Sequence, residues 1–82
     1  MSEDVVNKPV HYQGRVECIE AIEAATAGLA GIEAVCTANV LKYAWRWKKK
    51  NGVQDLRKAR WYLDRLISAL ESQTVDELWR DA

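Results

Sequence analysis

The sequence predicts an all-α fold: a small helical domain with a central antiparallel helix hairpin, assembled as an oligomer. Three observations point there. Apolar residues recur at helical spacing, no period-2 run is long enough for a strand, and Asn51-Gly52 separates two long amphipathic segments. The chain has 82 residues, and one this short buries only about 60% of the surface its unfolded form exposes. Yet 49% of the residues are hydrophobic and four are tryptophans. That is more large apolar surface than so small a domain hides, which favours a homo-oligomer with tryptophans in its core or at its interfaces.

Residues 1–14 read as an N-terminal arm, because Pro9 drives Lys8 towards an extended backbone and Gly14 punctuates the end. The single helical domain occupies residues 15–82. Its first helix is expected from Arg15 to Ala27, where Val16, Ile19, Ala21, Ile22 and Ala25 recur, and Gly28 and Gly31 end or interrupt it. A second helix is expected from Ile32 to Lys49. Cys36, Val40, Ala44 and Trp47 line one face of it, with Leu41 and Trp45 beside them. Asn51-Gly52 then stops the helix, since both residues tolerate left-handed backbone and basic residues precede them.

The third helix is expected from Val53 to Glu71, with Leu56, Ala59, Leu63, Leu66, Ile67 and Leu70 as a continuous apolar stripe. Thr74 suits the N-cap of a short final helix through Arg80, with Glu77 at the capping-box position. Cys18 and Cys36 fall in apolar helical segments and read as buried free thiols. No apolar run approaches the ~18 residues of a membrane span. The acidic start MSEDVVNKP is no signal peptide, so the expected location is the cytoplasm of the host cell.

Charge is unevenly placed. The net charge is zero, but residues 39–62 carry eight basic residues against Asp55 alone, while both flanks are acidic. A positive centre between acidic flanks attracts anions locally without making the whole protein adhesive to nucleic acid. On the second helix, Asn39, Lys42, Tyr43, Arg46 and Lys49 share a face. On the third, Asp55, Lys58, Tyr62 and Arg65 do the same. Closing the two helices about Asn51-Gly52 sets these stripes side by side as a groove.

Such a groove suits a nucleotide. Arg46 offers a planar fork for phosphate oxygens, and Lys42 and Lys58 add compact charges. Tyr43 and Tyr62 offer stacking surfaces, Asn39 can read a base or sugar, and Asp55 can orient Lys58 or accept a ribose hydroxyl. The same residues also suit a solvated face, with Tyr43 and Tyr62 as packing residues and Asp55 in the first turn of a helix, where acids are favoured. His11, the single histidine, lies on the arm, where a ligand contact and a structural hydrogen bond are both open to it. No phosphate loop, nucleophile triad or metal-binding carboxylate cluster is present in the sequence, which favours binding over catalysis and implies no cofactor.

Two motifs carry a resemblance. Val6-Asn7-Lys8-Pro9-Val10-His11-Tyr12 with Val16-Glu17-Cys18-Ile19-Glu20-Ala21-Ile22 resembles the start of a small phage protein family of unknown function, SaV-like and often labelled nucleotide kinase. Asn39-Val40-Leu41-Lys42-Tyr43-Ala44-Trp45-Arg46, then Lys49-Lys50-Asn51-Gly52 and Asp55 through Leu63, is similar to its signature block. The resemblance covers about residues 6–67 and departs at Ala38, where the family usually has glycine. It implies ligand-binding roles for His11, Tyr12, Asn39, Lys42, Tyr43, Arg46, Asp55, Lys58 and Tyr62, and admits a nucleoside monophosphate kinase as well as a binder.

The leading expectation is therefore a phage accessory protein that binds a nucleotide or cyclic nucleotide and sequesters a host defence signal without turnover. The alternatives are a nucleoside monophosphate kinase and a nucleic-acid or host-protein adaptor.

Overall fold

The computed structural model describes the backbone of residues 16–81 and the side chains of residues 16–73. The arm with His11 and Tyr12, and the side chains of Thr74, Glu77 and Trp79, lie outside the described residues. Among the described residues three α-helices form: α1 (Cys18–Thr26), α2 (Gly31–Arg46) and α3 (Val53–Asp81), with a 3-10 turn at Trp47–Lys49 after α2. The described residues contain no strand.

α1 begins later than Arg15 because Glu17 holds extended backbone at φ −83°, ψ 152°. Its backbone N–H donates to the Glu20 carboxylate at 2.9 Å, so an acid in the first turn satisfies a group just outside the helix. α2 tightens into the 3-10 turn before it stops. Of the Asn51-Gly52 pair it is Gly52 that takes the left-handed conformation, at φ +56°, and its N–H donates to the Trp47 carbonyl at 2.8 Å. Asn51 contributes to this turn through its hydrogen bonds and not through left-handed backbone.

The separate final helix does not form: α3 runs unbroken through Thr74 to Asp81. Nothing between Glu71 and Thr74 is glycine or proline, and extending an existing helix costs far less than nucleating another. A capping position for Thr74 is thus corrected to a helix interior.

α2 packs against both α1 and α3. The pairings with α3 proceed from Arg46–Asp55 beside the turn to Tyr43–Tyr62 further along. Across its thinnest direction the backbone extends 16 Å. Among the described residues only Cys36 and Asp55 are buried.

The two thiols accordingly differ: Cys36 is buried, as expected, and Cys18 is half-buried. The expected stripe on α3 also divides. Ala59 and Leu66 are half-buried, whereas Leu56, Leu63, Ile67 and Leu70 remain 39–45% exposed. Trp45, Trp47 and Trp61 are exposed rather than in a core.

Candidate functional site

The charged centre is organised by Asp55. It sits in the first turn of α3 and is fully inaccessible to solvent. Arg46, at the end of α2, reaches it as a fork: Nε donates to Oδ2 at 3.2 Å and Nη2 to Oδ1 at 3.3 Å. Asn51 completes the set, its backbone N–H donating to Oδ2 and its Nδ2 to Oδ1, both at 3.3 Å. Each carboxylate oxygen therefore accepts two hydrogen bonds. Burial opposes the Asp55 charge, but the Arg46 guanidinium and the Asn51 donors outweigh it and hold the carboxyl below the usual carboxylate range. The four bonds tie α2, the turn and α3 together.

Asp55 thus serves Arg46 and Asn51, and neither orients Lys58 nor reaches the surface. Arg46 retains 29% of its side-chain surface. Its fork is committed to Asp55, and its outer face lies against Tyr43.

Tyr43 is the centre of the second layer. Arg46 Cζ lies 4.9 Å from its ring centroid, Lys42 Nζ 5.2 Å and Lys58 Nζ 5.4 Å. Those distances fall within the ~6 Å range of cation–π attraction. The ring also stacks on Tyr62, with centroids 6.0 Å apart and planes inclined by 14°. Trp61 meets Tyr62 edge-on, at 5.0 Å and 83°. No carboxylate among the described residues forms an ion pair with Lys42 or Lys58. Both lie instead against the Tyr43 ring.

These groups border a cleft of about 340 Å³ lined by Tyr43, Lys58, Trp61 and Tyr62, within the size range of small-molecule sites. The two stripes read from the sequence therefore do come together, at Tyr43, Tyr62, Lys42, Lys58 and Arg46. Asn39 is placed differently: its Nδ2 donates to the Val35 carbonyl one turn back at 2.9 Å, which leaves its amide oxygen and one amide hydrogen for other partners.

Two contributors were not among the expected site residues. Trp61 lines the cleft, and its position three residues after Lys58 was the available signal. Asn51 stabilises Asp55, and the signal was an amide four residues before an acid at a helix start.

A second hollow, of about 290 Å³, lies between all three helices and is lined by Ala25, Thr37, Val40, Leu41, Leu63 and Leu66. On α3, Leu63 and Leu66 project to the side away from Lys58 and Trp61. The two concavities therefore occupy opposite sides of the α2/α3 pair. Among the described residues no three His, Cys, Asp or Glu side chains gather as a metal site, and no helix is long and apolar enough to cross a membrane.

No curated protein and no solved structure matches the chain. A family profile does match, over residues 6–64, a span that includes α1, α2 and the start of α3, with Asp55, Lys58, Trp61 and Tyr62. On that match the chain belongs to DUF3310, a family of proteins of unknown function.

Proposed function

We propose that the cleft beside Tyr43 binds a phosphate-bearing ligand, a nucleotide or cyclic nucleotide, and holds it without turnover. One observation carries this reading: three cations surround a single tyrosine ring within 5.4 Å, and among the described residues only Arg46 of the three has a carboxylate partner. Clustered cations repel one another, and an anion bound between them relieves that repulsion. Lys42 and Lys58 supply compact donors to phosphate oxygens. Arg46, held by Asp55, supplies a fixed charge that needs no reorganisation. The Tyr43, Tyr62 and Trp61 rings supply faces against which a base can stack.

In a phage accessory protein, such retention would withdraw a host defence signal, and this is the biological role we assign. Homo-oligomerisation belongs to the same reading. Native mass spectrometry against a pool of nucleoside monophosphates, triphosphates and cyclic nucleotides tests it, followed by chromatography of whatever is released. Recovery of one intact nucleotide supports retention. Conversion of a monophosphate to a diphosphate would replace it with the kinase reading, and no retained nucleotide would overturn it.

A further inference from the structure

The side of α3 opposite the cationic cleft displays Leu56, Leu63 and Ile67, with Leu70 continuing the line, all 39–45% exposed. Over 14 residues this stripe spans roughly 21 Å of helix. It borders the apolar hollow through Leu63. The spacing between Leu56 and Leu63 is seven residues, and Ile67 follows four later, which is the seam pattern of paired helices.

We propose that this stripe is the contact between two copies of the chain, with their α3 helices antiparallel about a two-fold axis near Leu63 and Ile67. This rests on the reading that the chain self-associates, and adds the surface and its register. Charge complementarity selects a second copy running in the opposite direction. Along the same flank of the stripe, Arg57 and Arg60 precede its midpoint and Glu71 follows it. Reversal of one helix sets Glu71 of each copy beside the arginines of the other, twice per pair. Asp64 falls near the axis, one turn from Arg60 on its own helix, so the arginine offsets the approach of the two acids. A parallel arrangement would instead set this flank against the opposite flank of the partner, and Glu71 would not meet the arginines.

The layer geometry supports the same occupant. Among the described residues only Cys36 and Asp55 are buried; the exposed apolar stripe needs a second layer against it, and another copy supplies it. The Lys58, Trp61 and Tyr62 side of α3 points roughly 160° away from the stripe by helical spacing, so both cationic clefts of the pair remain open.

Sedimentation equilibrium of the full chain, without nucleotide, tests the proposal. The wild type is expected at twice the 9.3 kDa chain mass. Glu71→Arg is expected to weaken association about tenfold, and adding Arg60→Glu to restore most of it. Both substitutions are on the exposed surface, and circular dichroism verifies that helix content is retained. A monomeric wild type would overturn self-association itself. An oligomer indifferent to Glu71→Arg, or one that Arg60→Glu fails to restore, would overturn this interface alone.

Discussion

The two sides of the α2/α3 pair are made from the same two helices and could hardly differ more. One side gathers Lys42, Arg46 and Lys58 around stacked tyrosines, and the other gathers Leu41, Val40, Leu63 and Leu66 around an apolar hollow. In a thicker protein both helices would spend most of their surface on an interior. Here few of the described residues are fully enclosed, and each side of the pair carries its own chemistry. Asp55 and Cys36 are the described residues that neither face exposes. What joins the two faces is therefore a short list of contacts.

Breaking that join should have the largest effect. Arg46→Ala removes the fork from a buried carboxylate and leaves Asn51 as its described partner. We expect the thermal midpoint to fall by on the order of 10 °C, measured by circular dichroism. Because Arg46 lies against Tyr43 as well as Asp55, this substitution touches the cleft and the fold together. Retention of the wild-type midpoint would show that the pair is dispensable.

Acid probes the same join from the other direction. Because the folded Asp55 carboxyl lies below its ordinary range, its contribution is complete above about pH 5. That contribution is lost as pH falls through the ordinary range, about 4, and on through the lowered folded value. Wild-type stability should therefore decline faster below pH 5 than that of Asp55→Asn, which keeps the shape without the ionisation. Parallel pH profiles would refute this.

Separate substitutions on the cleft side sharpen the contrast. Lys42→Ala and Lys58→Ala should each weaken nucleotide binding about tenfold by calorimetry. Both lysines are exposed and unpaired with carboxylates among the described residues, so the midpoint should hardly move. Loss of stability with binding intact would return these lysines to a purely structural role. The smallest effect belongs to the thiols. A thiol reagent should label half-buried Cys18 before buried Cys36, although burial pushes the Cys18 thiol up and slows it. Equal labelling would mean that the packing around Cys36 opens freely.

Much of this was legible in the sequence because helical spacing is a local property. The turn at Asn51-Gly52 and the stripes through Tyr43 and Tyr62 follow from residues three and four apart. The partner of Asp55 did not. Eight cations share the central segment, and one-dimensional spacing does not say which reaches the single acid. Nor did spacing reveal that the apolar stripe of α3 is wider than α2 covers, since that depends on how many helices pack against it. Thr74 misled because a capping residue marks a helix start only where the preceding helix has ended.

Arg46 and Asp55 are only nine residues apart along the chain. Closing a loop of that size takes roughly 10–100 ns in an unfolded chain, and little chain entropy is given up in doing so. The bend between α2 and α3 is thus available before any distant contact exists, so formation of this turn is expected among the first events of folding. Substitutions at Arg46 should then slow refolding, whereas changes at Ile67 on the outer stripe should leave the refolding rate of the single chain nearly unaltered.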